Sequence, residues 1–252
     1  MSFRTIWVTR PEPGNATTSA ALQNAGFEVI GLPVLDVRFV APSLPADRPD
    51  WIVFVSANAV RGLEAAGVPA GFRGKVRAAA VGSRSALVAA ADGWKVELVP
   101  KRENAEGLLE TFGHIDLNGL RVWIPGGNRE GSASQLLPEA LRARGAEVLT
   151  FSVYETLDRD LKVGELARLD AADPGLIVFH SPSAVETVYS SAGPGSVRRW
   201  QKADLVAIGS TTVASCRRVR TDRIWESPEP SDTALVTLIT SLTHKITEEK
   251  RA

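Results

Sequence analysis

Cysteine is almost absent from this chain: Cys216 is the only one in 252 residues. An internal disulfide is excluded, a reducing compartment fits, and the default role of such a residue on a helical stretch is that of a small core side chain. Net charge is absent too, since 29 basic residues balance 29 acidic ones. A neutral chain offers no broad field for nucleic acid or a membrane surface, so neither is expected as a partner, and an anionic ligand has to be held by local groups. Long apolar runs are missing: Arg and Asp interrupt each one short of spanning length, and residues 1–10 contain no signal-peptide core. This points to a cytoplasmic protein. His114, His180 and His244 have no Cys or carboxylate companions at ligand spacing, so no metal is expected. There is no P-loop, GGNREG at 126–131 fails the dinucleotide fingerprint because its glycines are adjacent, and no serine sits in a G-x-S-x-G elbow. No cofactor is expected.

What the chain does have is a repeat. Residues 51–60 read WIVFVSANAV and residues 176–185 read LIVFHSPSAV, identical at six of ten positions. Three more pairs follow in the same order: TIWVTRPEPG with RVWIPGGNRE, AGFEVIGLPVLDV with RGAEVLTFSVYET, and AAAVGSRSALVAA with LVAIGSTTVASCR. The offsets drift from 116 at Trp7/Trp123 through 119 at Gly26/Gly145 and 125 at Phe54/Phe179 to 127 at Gly82/Gly209, as loop insertions would produce. Two copies of this size predict two similar units with a cleft between them.

Short apolar runs at 5–9, 28–32, 51–55, 78–81, 121–124, 147–151, 176–180 and 205–208 have the composition of parallel strands buried on both faces. Amphipathic stretches between them, at 19–25, 57–66, 85–91, 138–144, 184–190 and 212–218, predict helices. Alternation of this kind predicts an α/β fold of two doubly wound, flavodoxin-like parallel sheets. The equivalent segments 31–39 and 150–157 continue as extended chain with polar alternation after the buried strand ends, and look like crossings between domains. The corresponding division gives one discontinuous domain, 1–33 plus 158–252, a second at 40–150, and a two-stranded antiparallel linker from 34–39 and 151–157. Periodicity alone favours the plainer alternative, two sequential domains split near Gly119.

Chemistry in open parallel sheets sits beyond the carboxyl ends of the strands. The turns expected there are rich in small and hydroxylated residues: Thr9-Arg10-Pro11, Ser56-Ala57-Asn58, Gly82-Ser83-Arg84-Ser85, Gly126-Gly127-Asn128-Arg129, Ser181-Pro182-Ser183 and Gly209-Ser210-Thr211-Thr212. Any one of them is an ordinary helix cap. Six together suit a ligand with several carboxylates or phosphates, met by free amides and hydroxyls at helix amino termini. Tyr154 stands apart. It is one of two tyrosines, it lies in the second crossing segment, and its counterpart in the first copy is Leu35, so duplication does not account for it. Packing and a site role are both open for its phenol.

The ordered set VTRP, SANAV, AVGSRSA, a Gly- and Arg-containing turn before RGAEV, VYET, FHSPSAV and AIGSTT, from about residue 5 to about residue 238, resembles the uroporphyrinogen-III synthase family. The resemblance implies two α/β domains joined by a ribbon, one inserted into the other, and a cofactor-free reaction. In that reaction hydroxymethylbilane, a linear tetrapyrrole with eight carboxylates, loses water and closes to uroporphyrinogen III with its last ring inverted. It implies Tyr154 as proton donor, and Ser56, Ser85, Ser181, Ser183, Thr211 and Thr212, with amides at Gly82 and Gly209, as carboxylate contacts. Arg10 and Arg129 would supply charge, and Asn58 and Gly127 in the same turns would also bind the substrate. Ser85 stands where relatives often carry Thr, and Asn58 where some carry a basic residue. The expected protein is a monomer whose partners are its substrate and, transiently, the upstream bilane-forming enzyme. A non-catalytic anion-binding or regulatory relative of the same fold is the competing expectation.

Overall fold

The computed structural model describes residues 5–44, 47–68, 70–129, 132–191, 200, 202–220 and 222–249. Eleven strands run through them: β1 (Thr5–Val8), β2 (Glu28–Gly31), β3 (Leu35–Phe39), β4 (Trp51–Phe54), β5 (Arg77–Ala80), β6 (Lys95–Leu98), β7 (Arg121–Gly127), β8 (Glu147–Asp158), β9 (Leu176–Phe179), β10 (Asp204–Ala207) and β11 (Ile224–Glu226). They form two sheets, ordered β11-β10-β9-β1-β2 and β3-β8-β7-β4-β5-β6. Pairing within β2-β1-β9-β10-β11 and within β8-β7-β4-β5-β6 is parallel throughout.

The reason is apolar composition on both faces. Every residue of β1, β4, β9 and β10 is buried. Successive residues feed different clusters: Ile6 and Val8 pack with Leu235 and Ile239, while Trp7 packs with Phe179, Val185 and Trp200. In the other sheet Trp51 and Val53 join Phe112 and Leu141, while Ile52 and Phe54 join Leu63 and Trp94. A strand with two apolar faces needs helices on both, and the crossover helices provide them. Cys216 lies in the cluster around Trp7, and burial pushes its thiol up to about 11, out of the reactive range.

Two compact units result, 1–36 with 157–252 and 37–156. The first contains β1, β2, β9, β10 and β11; the second contains β4 to β7 and most of β8. Each unit therefore takes two strands from one sequence copy and three from the other, and its sheet has the same order as that of its counterpart. The chain passes from one unit to the other in β3 and again in β8. These two strands are antiparallel: Val34 O accepts from Arg159 N at 2.9 Å and Val153 O accepts from Val40 N at 3.0 Å, so numbering rises in one as it falls in the other.

All eight expected strands are present, within three residues of the expected limits except that β8 runs on unbroken to Asp158 and absorbs the second crossing. Two strands went unanticipated, β6 and β11. Both are edge strands with alternating or partial exposure, so they lack the continuous apolar run that marked the others. Helices start earlier than expected, at Gly14, Ser83, Ser132, Pro182 and Ser210, because the polar turn residues themselves form the first helical turn. Pro138 lies inside the helix Ser132–Ala143, not at its start. Gly26 and Gly145, equivalent in the repeat, both follow helices with φ near +86 to +89, a conformation glycine adopts at no steric cost.

Candidate functional site

In the second unit the carboxyl edge is organised around Tyr154. The bulge between Gly126 and Gly127 shifts the β7–β8 register so that Gly127 pairs with Tyr154. The ring lies directly on Gly127, where a Cβ would stand 2.5 Å from Tyr154 Cε2; only glycine fits. The half-buried phenol reaches across the edge to Ser56, with Oη and Oγ 3.1 Å apart. Ser56 is the N-cap of the helix Ala57–Ala65, and its Oγ also accepts from Ala59 N at 3.1 Å. A phenol is thus held at a helix amino terminus by the side chain that caps it. The helix field favours negative charge there.

The neighbouring turns differ in what they offer. Asn58 Oδ1 accepts from Arg61 Nη1 at 3.3 Å. Arg129 Nε and Asn128 Nδ2 both donate to Thr156 O, and Thr156 N returns a bond to Asn128 Oδ1, stitching the glycine turn to the end of β8. Gly82 is the N-cap of the helix Ser83–Ala91 and makes no side-chain cap bond; a Cβ there would stand 2.6 Å from Glu103 Oε2. Ser85 is buried in the first turn of that helix.

In the first unit Ser181 Oγ accepts from Ala184 N at 3.3 Å, Ser183 is half-buried two residues further, and Gly209 caps the helix Ser210–Val219 with extended backbone. Thr211 is exposed, whereas Thr212 is 1% exposed and faces the interior. Of the two threonines, Thr211 is the one a ligand can reach. Arg10 is not a loose cation either. Its Nη1 lies 3.3 Å from Asp232 Oδ1 and 3.0 Å from Thr18 Oγ1, and Thr18 Oγ1 donates to Asp232 at 2.7 Å. His180 Nε2 stands 3.6 Å from the same carboxylate oxygen. Burial pushes the Asp232 carboxyl up, but His180, Thr18 and Arg10 outweigh it and hold the group down at about 2. Sequence reasoning missed this cluster. It had set His180 aside, and nothing local links residues 10, 18, 180 and 232.

Among the described residues, no group of three or more His, Cys, Asp or Glu side chains is placed to hold a metal ion, and no helix is long and apolar enough to cross a membrane. A model of the uroporphyrinogen-III synthase family matches residues 16–237, most of the chain. The chain belongs to this family. A relative from Methanothermobacter thermautotrophicus, provisionally named a uroporphyrinogen-III synthase, is 32% identical over 200 residues, covering 74% of this chain and 77% of its own. The Synechococcus elongatus uroporphyrinogen-III synthase is 28% identical over 231 residues, 86% of each chain. The solved uroporphyrinogen-III synthetase of Helicobacter pylori superposes with a TM-score of 0.66 at 18% identity, covering 95% of this chain and 99% of that one, a likeness of fold. Uroporphyrinogen-III synthases are lyases of tetrapyrrole and haem biosynthesis, and the α/β architecture with two parallel sheets is theirs as well.

Proposed function

We propose that this chain cyclises hydroxymethylbilane to uroporphyrinogen III, with Tyr154 as the proton donor. The observation that carries the assignment is the Tyr154–Ser56 hydrogen bond at a helix amino terminus. The phenol proton leaves with the terminal hydroxyl as water while the pyrrole nitrogen lone pair pushes it out, giving an azafulvenium ion. Ser56 Oγ, already accepting from Ala59 N, turns its own proton to the phenolate, and the helix field stabilises the charge. The electrophilic methylene then bonds to the substituted α-carbon of the last ring, forming a spiro intermediate. Its older methylene bond breaks and re-forms at the ring's other α-carbon, and the ring proton lost on rearomatisation returns to Tyr154. One water leaves, and the tyrosine ends as it began.

Because the substrate supplies the electronic drive, the protein's larger task is to hold its shape. Exposed Thr211, the amides at Gly82 and Gly209, and the hydroxyls of Ser181 and Ser183 are the groups we assign to its carboxylates. Buried Ser85 and Thr212 support their turns from within. Arg10 and Arg129, both anchored to neighbours, lend fixed positive charge, and Asn58 and Gly127 shape the edge around Tyr154. We place the working form in the cytoplasm as a monomer that receives its substrate from the bilane-forming enzyme. The test is a coupled assay with freshly made hydroxymethylbilane and no added metal or cofactor. Type III product above the uncatalysed control is expected; a product mixture no richer in type III than that control overturns the assignment.

A further inference from the structure

Gly126 is a glycine that its own unit does not require. Its φ lies outside the left-handed region, and a Cβ built on it would meet no atom within 4 Å. The open space above it is a pocket of about 200 Å³ lined by Val55, Ile124, Gly126, Gly127, Thr150 and Ser152, with Phe151 at its edge. Strand pairing explains why these residues share it. Side chains two apart on a strand point the same way, and Ile124 pairs with Thr150 as Gly126 pairs with Ser152. Ile124 packs with Val55 in the cluster on that face, while Trp123, Phe151, Val153 and Tyr154 pack on the other. The pocket thus has an apolar wall, two hydroxyls and an uncluttered glycine floor, and among the described residues no charged side chain lines it. Among the described residues, no other group engages the Thr150 or the Ser152 hydroxyl.

We infer that this pocket seats one pyrrole ring of the tetrapyrrole, its flat face on Val55 and Ile124 and one carboxylate arm on Thr150 and Ser152; the inference rests on the activity proposed above. Size supports a single ring, since an engineered cavity of about 150 Å³ in another protein holds benzene. The lining supports a ring over a bare anion, because no described residue in it carries positive charge. Position supports a ring of the substrate: the pocket lies at the carboxyl ends of β4 and β7, where open parallel sheets take their ligands, on the face opposite the ring of Tyr154.

The fold's indifference to a Cβ at Gly126 makes the test clean. Gly126→Ala and Gly126→Val should fold with unfolding midpoints at or above that of the parent, yet lower kcat/KM for hydroxymethylbilane by about tenfold or more, Val beyond Ala. Thr150→Val combined with Ser152→Ala should raise KM with kcat little changed. Gly164→Ala, a helical glycine with equally open space, should change neither. An active parent whose Gly126→Val variant keeps its KM and kcat overturns the pocket and leaves the activity standing. Titration with uroporphyrin, a stable fluorescent octacarboxylate, separates the opposite case. Binding by an inactive parent that Gly126→Val abolishes upholds the pocket and overturns the activity, whereas a parent that neither reacts nor binds overturns the pocket as well.

Discussion

Tyr154 and Ser56 share one hydrogen bond, but the variants that remove its two ends should not behave alike. Tyr154→Phe keeps the ring on Gly127 and loses only the proton. General acid help is commonly worth about a hundredfold to ten-thousandfold, and here the pyrrole nitrogen does much of the work, so kcat should fall by roughly tenfold with the type III fraction intact. Ser56→Ala loses the helix cap as well, at about 1 kcal/mol of stability, while its smaller kinetic loss should appear in kcat more than in KM. Steady-state constants, isomer ratios and denaturant midpoints for the two variants check this. Tyr154 was legible as a candidate because it breaks the repeat. Its bond to Ser56 was not, because the register shift at Gly126/Gly127 that aims the phenol has no signature in composition. Thr212 shows the converse: its turn was legible, but which of two adjacent threonines faces outward depends on where the helix begins.

Elements fail in ways single residues do not. Gly62 sits in the helix Ala57–Ala65 against β8, and a Cβ there would stand 2.6 Å from Val153 O. Gly62→Ala improves helix propensity but forces the helix off the strand, so it should cost about 1–3 kcal/mol, read as a lower urea midpoint. The helix Asp232–Glu249 is pinned differently, by Asp232 at its first turn. The folded carboxyl titrates near 2 instead of its ordinary value near 4, so its contribution is present above about pH 4 and is lost as pH falls towards 2. Asp232→Asn should therefore be less stable than the parent at neutral pH, by about 1–2 kcal/mol, with the gap closing between about pH 4 and pH 2. Unfolding of both proteins across that range measures it. Buried strands were legible because burial on both faces writes an unbroken apolar run into the sequence. The edge strands β6 and β11 and the helices at Ala105–Thr111, Val163–Ala172 and Asp232–Glu249 were not, since one exposed face dilutes that run.

At the scale of the molecule, the sequence copies and the compact units do not coincide. Residues 1–118 and 119–252 each hold strands belonging to both sheets, whereas 37–156 holds one unit whole. Expressed alone, the central piece should unfold cooperatively and each sequential half should not, as circular dichroism during urea denaturation would show. Cooperative halves with a non-cooperative central piece would contradict the division. The interruption also sets a timetable. β1 and β2 leave the ribosome first, but their neighbour β9 follows only after the whole of the other unit has been made. At about 5–20 residues per second, that leaves the first two strands without a sheet for roughly 6–24 s. Their apolar side chains, Ile6, Trp7 and Val8 among them, cannot reach their buried places in the sheet until β9 arrives to pair with β1. A trigger-factor-like holdase acting on the amino-terminal segment would matter more for this protein than for one of the same size built from sequential domains.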